Sequence, residues 1–469
     1  MMKRPAPQSG AVLLLAAAWT AILAFIAVAT LSVIQRHFRQ AFHTASWHDA
    51  LSAAESGIDM AVNELRKGLR GGVPFDGWTR SQDDGSTYFT SNTLLRQGEG
   101  GQRSWVKVQV DTPASLVSVS GDKWFRVRAI GYAEVPGGVA VTGEQLDREL
   151  RKIDFRSDRL TGAAVANPRA FRIIEAVIKP VGAFRVALLG DQSINMNNLN
   201  IVVDSYDSTD PGKSTNGFYD PAKRQNHGDI ATNGETIDAG NAHIYGSAAT
   251  DGGEVLRATN VTGDIQADFY QELLPVMRPF SVADAGSPTT VRGTTVLAAK
   301  ADKPAQYILA DINLSGQNTL RIQGAPNGSE TFAQIIVNGA VSLSGQAQIL
   351  LDPGVNVRLF VAGDADMTGN GVSNPNSPLN FQLYGLDRNP GQSPGSLKIA
   401  GNGGFRGAAY APNYDIEMVG GGNSDSIFGG FVGRTIRMTG VQTVHYDEAL
   451  GSGGLISDYR VVSWYEQER

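Results

Sequence analysis

The chain has 469 residues, six histidines, no cysteine and a formal net charge of −6 at pH 7. This length predicts roughly two to four domains, and the mild charge gives no indication of a nucleic-acid partner. The absence of cysteine excludes disulfides, cysteine-ligated zinc and iron–sulfur clusters. With 55 glycines and only 18% charged residues, the composition favours a β-rich, turn-rich protein over a helical enzyme.

The first predicted element is a membrane-inserted helix. Lys3, Arg4 and Gly10 precede an apolar run over residues 11–34. At a rise of ~1.5 Å per residue this run makes a helix of about 36 Å, enough to cross a hydrocarbon core of ~30 Å. A cleaved secretory signal has a shorter apolar core and a cleavage site of small residues. No such cleavage site is clear in this sequence. We therefore expect a single membrane pass followed by an exported C-terminal part.

An amphipathic half follows the apolar run without a break. Six apolar residues recur at intervals of three and four: Trp47, Leu51, Ala54, Ile58, Ala61 and Leu65. This spacing places them on one face of a helix, and Lys67 with Gly68 supplies a basic last turn and a stop. We predict one continuous helix over residues 11–67, about 85 Å long, whose second half packs on a β-sheet. A simple anchor with a juxtamembrane linker is the alternative.

A short motif follows the apolar run: Ala53, Ala54, Glu55 and Gly57. Together with the basic head and Gly10, it resembles the N-terminal segment of PilX-type minor pilins, which are type IV pilus assembly proteins related to the pseudopilins of type II secretion. The resemblance covers residues 1–70. It implies that a prepilin peptidase cuts after Gly10 and leaves Ala11 as the new N-terminus. It also implies storage in the inner membrane and later display on a pilus or the cell surface.

One position departs from the pattern of major pilins. Major pilins carry Glu at the fifth mature position, where it pairs with a neighbour's N-terminal amine, and that position here is Leu15. Some minor subunits at the filament tip lack this Glu. The resemblance therefore implies a minor subunit that acts in priming or display, and not a bulk subunit of the filament shaft.

The middle region, residues 71–181, is predicted to be a small pilin-like α+β unit. Apolar and polar residues alternate at 105–110, 124–131 and 171–181, as they do in half-buried strands. We predict that these strands form the antiparallel sheet on which the helix packs. Loose strands belonging to the next domain are the alternative. Residues 145–153 are interpreted as a charged surface helix or a strand-linking loop.

A repeated phrase, apolar–any–apolar–small–Gly, marks the C-terminal half. Five glycines close it: Gly316, Gly345, Gly369, Gly401 and Gly440. Each is preceded two positions earlier by an apolar residue: Leu314, Leu343, Met367, Ile399 and Met438. Alternation followed by a Gly corner at intervals of a few tens of residues is typical of a parallel β-solenoid. We predict stacked corners and an inward apolar row; a Gly-rich β-sandwich is the alternative.

Five further phrases keep their order along this half and begin at Val203, Gly228, His243, Gly404 and His445. In this order they resemble an uncharacterised β-helical domain that follows PilX-like N-termini in some bacterial surface proteins. The resemblance implies architecture and no particular chemistry. The predicted units are a basic leader (1–10), a transmembrane and amphipathic helix (11–70), the α+β region (71–181), a β-helical head (182–450) and a tail (451–469).

Three acidic clusters are candidates for chemistry: Asp204, Asp207 and Asp210; Asp364 and Asp366; and Asp447 with Glu448. Acidic side chains at β-helix turns usually accept hydrogen bonds from backbone N–H groups, so we interpret them as turn caps. Calcium binding is the alternative. No nucleotide loop, nucleophile elbow or zinc-protease motif is present. We therefore predict no catalytic, cofactor-binding or metal-ligating residue.

The fold expected is mainly β with an α+β part: a long pilin-like helix, a small antiparallel sheet and a C-terminal parallel β-helix. The function expected is that of a non-enzymatic minor pilin or pseudopilin-like subunit for type IV pilus assembly or tip display. Its partners would be other pilin subunits, the inner membrane, the prepilin peptidase and, for the head, a surface polysaccharide or host ligand. The alternatives are a membrane-anchored β-helical surface protein unconnected with pili and a β-helical carbohydrate-active enzyme, which needs paired carboxylates.

Overall fold

A computed structural model describes residues 9–70, 72–81, 87–90, 93–97, 103–112, 124–134, 170–196, 200–280, 288–388, 391–400, 404–420, 426–453 and 455–466. Within these ranges the helix α1 (Ser9–Leu69) precedes 32 strands. The leader up to residue 8, residues 145–153 and Gly401 lie outside the described residues.

The strands, in chain order, are β1 (Thr79–Arg80), β2 (Tyr88–Phe89), β3 (Thr93–Gln97), β4 (Arg103–Asp111), β5 (Phe125–Ala133), β6 (Ala170–Gly182), β7 (Leu188–Asn195), β8 (Ile201–Tyr206), β9 (Ile230–Thr232), β10 (Thr236–Asp238), β11 (His243–Ile244), β12 (Ala248–Ala249), β13 (Glu254–Leu256), β14 (Ile265–Gln266), β15 (Thr289–Val291), β16 (Thr295–Ala298), β17 (Ala305–Leu314), β18 (Thr319–Gln323), β19 (Thr331–Val337), β20 (Val341–Leu343), β21 (Gln348–Leu351), β22 (Val355–Val361), β23 (Ala365–Met367), β24 (Gly371–Ser373), β25 (Phe381–Gly385), β26 (Gly395–Ala400), β27 (Phe405–Arg406), β28 (Ala408–Val419), β29 (Ser426–Phe428), β30 (Phe431–Thr439), β31 (Gln442–Asp447) and β32 (Ile456–Glu466).

Helix α1 runs without interruption through the apolar and the amphipathic halves of its sequence, so the predicted continuous helix is confirmed. Every side chain from residue 13 to residue 45 is exposed, whereas one face is buried from Ser46 onward. Four members of the predicted stripe are buried: Ala54, Ile58, Ala61 and Leu65. The prediction is wrong for Trp47, which is 51% exposed because it lies where the sheet begins, with the Arg172 guanidinium 4.5 Å from its ring.

An antiparallel sheet of seven strands supports the second half of α1. Its order is β1–β2–β4–β5–β6–β32, with β3 also paired to β4. The three strands predicted from alternation are β4, β5 and β6, which are antiparallel neighbours, so this prediction is confirmed. Alternation along β4 buries Val106 and Val108 in one core with Ala54 and Ile58 of α1. The edge strand β32 comes from the predicted tail, for which no strand was foreseen.

Residues 188–447, called the head from here on, contribute three sheets of 16, 5 and 4 strands. The strand pairings described within these sheets are parallel, as in β8–β31, β16–β18 and β19–β22. Eight strands close into a barrel-like ring because β17 pairs with both β19 and β20, and β28 with both β25 and β26. β22 and β23 complete the ring. These pairings are parallel, as a β-helix requires, but the parallel β-helix predicted from the repeated phrase stays a prediction.

The apolar residues of the repeated phrase form one continuous row. Successive strands place six of them side by side in register: Leu314, Leu343, Met367, Ile399, Met418 and Met438. All six are buried, so the predicted inward row is confirmed. Met418 is a member that the sequence analysis missed.

The glycine corners follow the prediction in part. Gly316, Gly345 and Gly440 have positive φ angles of 65°, 70° and 82°, in the left-handed region that glycine adopts at no steric cost. Gly345 stacks on Gly316, since a Cβ added to Gly345 would lie 3.2 Å from the Gly316 nitrogen. Gly369 does not have such an angle, because Gly371 takes the positive φ of 61° in that turn.

The chain does not pass through the head in one direction. From β7 it runs to β14, returns along residues 267–280, called the return segment, and starts again at β15. It then runs back until β30 pairs with β7 and β31 pairs with β8. Two separate segments, 188–266 and 289–447, therefore meet inside the head.

The return segment covers an outward apolar row of the head. Phe360, Tyr384 and Tyr410 lie side by side in this row. Tyr410 Oη donates to the Leu274 carbonyl oxygen at 3.0 Å, and Val276 is buried in the same core. The row is consequently buried on its outer side, although alternation alone would expose it.

Candidate functional site

The helix motif lies at the closest approach of α1 to the sheet. Ala53 and Ala54 are buried, and a Cβ added to Gly57 would lie 2.6 Å from Val106 Cγ2. On the facing strand β5, a Cβ added to Gly131 would lie 1.9 Å from the main-chain oxygen of Ala50. Small residues on both sides therefore set the distance between helix and sheet. Glu55, the fourth residue of the motif, is exposed.

The exposed half of α1 is the most apolar part of the described chain. The helix from Leu13 to Leu69 is long enough to cross a bilayer, with a mean hydropathy of 2.3 over its most apolar stretch, none of which is buried. A single-pass anchor and a signal sequence both fit this length and composition. Gly10 and Ala11 fall within α1, and cleavage between them stays a prediction.

A second candidate site lies on the five-stranded sheet β11–β8–β31–β29–β27. Register places one side chain from each of four neighbouring strands in a row: Arg406, Phe428, His445 and Asp204. Residues 207–228, called the cover loop, pack over this row. The Phe218 ring of the cover loop lies 4.8 Å from the Arg406 guanidinium, so the loop is held by stacking as well as by hydrogen bonds.

His445, Asp204 and Tyr219 form the centre of this site. His445 Nδ1 and Asp204 Oδ1 are 2.5 Å apart, and Tyr219 Oη donates to Asp204 Oδ2 at 2.8 Å. The Tyr219 ring stacks on the imidazole with centroids 3.6 Å apart. Burial, and then the hydrogen bond to Asp204, raise the pKa of Tyr219, which keeps its hydroxyl a donor. Both oxygens of the Asp204 carboxylate are thus engaged inside the protein.

Glu448 binds the cover loop at two points, Lys213 and His227. Its Oε2 accepts from Lys213 Nζ at 2.9 Å, and its Oε1 accepts from Ser205 Oγ at 2.9 Å and lies 2.8 Å from His227 Nδ1. Burial raises the pKa of Glu448, but the hydrogen bonds from Lys213, His227 and Ser205 outweigh burial and hold that pKa below its usual value. The carboxylate is therefore charged at neutral pH.

Asp447 caps the first turn of the cover loop. Its Oδ1 accepts from the backbone N–H groups of Ser208 at 2.9 Å and Ala449 at 3.2 Å, and burial raises the pKa of Asp447 to about 6. Its Oδ2 is buried without a hydrogen-bond partner among the described residues, as are Tyr206 Oη and Arg406 Nη1. Burial also lowers the pKa of Arg406.

The acidic residues predicted as turn caps have this role in most positions. Asp207 and Asp210 each accept from the backbone N–H two residues ahead, at 2.9 and 2.7 Å, and Asp364 accepts from a backbone N–H of a later turn at 3.0 Å. The interpretation is confirmed for these residues and for Asp447. It is wrong for Asp204 and Glu448, which bind side chains. It is also not met by Asp366, whose Oδ1 is buried without a hydrogen-bond partner among the described residues. Across the described ranges no three His, Asp or Glu side chains are placed to hold a metal ion.

A cleft of about 1160 Å³ lies between the head, α1 and the antiparallel sheet. Its lining includes Arg66 of α1, Lys179 of β6, Tyr270 of the return segment and Asp458 of β32. Arg66 Nε donates to Asp458 Oδ1 at 2.6 Å and so ties α1 to β32. The sequence analysis missed the cleft because its walls come from segments far apart in the chain.

Comparisons with known proteins find one family model that is similar to part of the head. Residues 304–452 match a family model described as a domain of unknown function, DUF7305. This match spans β17 to β31 and leaves out α1, the antiparallel sheet and the cover loop. No curated protein matches the chain.

Among solved structures, the competence-associated pilin ComZ from Thermus thermophilus is similar over 90% of this chain and 97% of its own, with 10% sequence identity and a TM-score of 0.19. A TM-score this low does not establish a shared fold. The functional argument therefore depends on the geometry of this chain.

The two candidate sites differ in whether their surfaces are free to contact a partner. At the site beneath the cover loop, the carboxylate oxygens of Asp204 and Glu448 accept hydrogen bonds from partners within the chain, which suits holding a loop in place. The exposed half of α1 leaves a long apolar surface uncovered. Exposed apolar area of this size is unfavourable in water, and the length and composition of the helix are compatible with a single-pass anchor or a signal sequence.

Proposed function

We propose that this protein is a minor, PilX-type pilin or pseudopilin-like subunit that is stored in the inner membrane and carries its head to the surface of a type IV filament. The observation that carries this proposal is the division of α1: residues 13–45 leave every side chain exposed, whereas one face of residues 46–65 is buried on the sheet. A helix of this kind can exchange lipid for neighbouring helices in a bundle. Other pilin subunits are the partners that this exchange requires.

We propose further that the head is a parallel β-helix used for adhesion or surface interaction. Its successive strands pair in parallel register, and one apolar row passes through six of them. Such stacking buries a continuous core between neighbouring turns. The resulting repetitive outer faces are suited to contact with extended ligands.

The proposed role is non-enzymatic. The supporting observation is that two carboxylates of the candidate site are engaged as structural acceptors: Asp204 by His445 and Tyr219, and Glu448 by Lys213 and Ser205. A glycoside hydrolase needs two carboxyl groups free to face one substrate. A turnover assay on acidic and neutral polysaccharides should give no product.

Mass spectrometry of the native N-terminus tests the pilin proposal. In cells with an active prepilin peptidase the mature chain should begin at Ala11, and it should begin upstream when the peptidase is deleted. Gly10→Val should block processing and keep the protein out of sheared filaments, while Ser9→Ala serves as the matched control. A chain that keeps its leader in peptidase-active cells would instead support a membrane-anchored surface protein unconnected with pili.

A further inference from the structure

The cleft between the head and the antiparallel sheet contains two facing cations. Lys179 of β6 and Arg460 of β32 are directly opposite each other in the antiparallel register, and both line the cleft. Directly opposite residues on one sheet face have Cβ atoms about 5 Å apart, and like charges there repel. A fold tolerates such a pair more readily when an anion neutralises it.

No such anion is supplied by the part of the chain that the structure describes. Within it, Lys179, Arg460 and Arg185, which all line the cleft, make no ion pair or side-chain hydrogen bond. Neighbouring arginines behave differently. Arg66 Nε is 2.6 Å from Asp458 Oδ1, and Arg70 Nη2 is 2.5 Å from Glu272 Oε1. The adjacent cations Lys179 and Arg460 are therefore left without an anionic partner within these residues.

The rest of the lining indicates what kind of anion fits. Tyr270 is 65% exposed and presents an aromatic ring to the cleft, while Asp59 and Asp229 supply acceptors on other parts of the wall. Carboxylates in the same cleft repel a dense polyanion such as polyphosphate. They accept hydrogen bonds from hydroxyl groups. The combination suits a ligand with many hydroxyls, a ring face and a sparse negative charge.

We propose that this cleft binds an acidic saccharide, with a uronate carboxylate between Lys179 and Arg460 and a sugar ring on Tyr270. A volume of about 1160 Å³ is at the upper end for ligand sites and admits a short oligosaccharide. Charge-assisted hydrogen bonds from lysine and arginine to a carboxylate are stronger than neutral ones. This binding site is separate from the proposed role in filament assembly, because all the residues that line it belong to a single subunit.

Binding to the full-length protein in detergent micelles tests the proposal. The probe is a fluorescent tetra-galacturonate, compared with its carboxyl-reduced neutral counterpart, with inorganic polyphosphate and with a poly-glutamate peptide of equal charge. The acidic saccharide should bind and the other three should not. Lys179→Gln with Arg460→Gln should weaken binding of the tetra-galacturonate at least about tenfold, and Tyr270→Ala should weaken it as well.

The matched control is Arg292→Gln with Lys303→Gln, which removes the same charge from exposed positions of the head outside the cleft. This control should leave binding unchanged. An equal loss in the control and the cleft variant, tight binding of the neutral saccharide, or preference for polyphosphate or poly-glutamate would each overturn the proposal. Filament incorporation of the cleft variant is measured in parallel, so failure of saccharide binding and failure of assembly are distinguished.

Discussion

Asp204 and His445 are 241 positions apart in the chain, and their side chains meet with Oδ1 and Nδ1 separated by 2.5 Å. Asp204 belongs to the first segment of the head and His445 to the last strand before the chain leaves it. Their contact follows from the pairing of β8 with β31. The pair therefore closes the head where its two chain segments meet, and Tyr219 places the cover loop over the closure.

Replacing Asp204 by Ala is expected to destabilise the protein by roughly 3 kcal/mol, because the buried His445 and the half-buried Tyr219 lose their shared acceptor. Urea unfolding of the full-length protein in micelles, followed by near-ultraviolet circular dichroism, measures the loss. Asp207→Ala, which removes a half-buried turn cap of the same loop, is the control and should cost about 1 kcal/mol or less. Equal unfolding midpoints for the two variants would contradict the closing role of Asp204.

The inward apolar row makes a second prediction. Leu343→Ala should lower the free energy of unfolding by about 2–5 kcal/mol, since it removes buried methyl groups and leaves a cavity between neighbouring strands. Val296→Ala, at a position 53% exposed on β16, should change it by no more than about 0.5 kcal/mol. Thermal unfolding compares the variants. A Leu343→Ala protein as stable as the Val296→Ala protein would argue against a stacked core.

The close approach of α1 to β5 makes a third prediction. Gly131→Ala places a methyl group where the main-chain oxygen of Ala50 stands, so α1 must move away from the sheet at a cost of about 1–3 kcal/mol. Hydrogen exchange in residues 46–65 should become faster. Gly293→Ala is the matched control, because a Cβ there meets no neighbour within 4 Å. Unchanged exchange in the Gly131→Ala protein would contradict the packing described for the helix motif.

Asp447 makes a prediction about pH. Its pKa of about 6 in the folded protein is above the ~3.9 of an unfolded aspartate, so between these values the folded state binds more protons. Its contribution to stability is present below about pH 4 and is lost as the pH rises through 6. Acidification from pH 7 to pH 5 should therefore favour the folded state by about 1 kcal/mol through this group.

Asp447→Asn tests that contribution, because the amide keeps an oxygen for the Ser208 and Ala449 N–H groups and cannot titrate. The variant should lack about 1 kcal/mol of the stability difference between pH 5 and pH 7 that the parent protein has. Asp210→Asn, in the same loop, should keep the parent's pH dependence. The idea fails if Asp447→Asn and the parent have parallel stability profiles over this range.

The long helix and the three central strands could be predicted from the sequence because their signals are local. Apolar residues at intervals of three and four indicated the buried face of α1, and alternation indicated β4, β5 and β6. Met418 escaped because Val419 occupies the position where the repeated phrase has a small residue, although Gly420 follows as the phrase requires. A phrase that allows valine before the glycine includes Met418.

Other features depend on register between distant segments, which no local pattern encodes. The sequence predicts a turn cap at Asp204 because acidic side chains at β-helix turns usually accept hydrogen bonds from backbone N–H groups. Only the pairing of β8 with β31 brings His445 to it. The strand β32 and the cleft behind it were missed for the same reason, since both exist only when the end of the chain returns to β6.

The return of the chain to its starting place has a further consequence. Gly182 and Ile456 are register partners on β6 and β32, so the whole head leaves and re-enters the antiparallel sheet at adjacent points. The head is thus an insertion between two neighbouring strands of the sheet that supports the helix. Under the proposed function, replacing this insertion would change the displayed surface and leave the helix and its sheet intact.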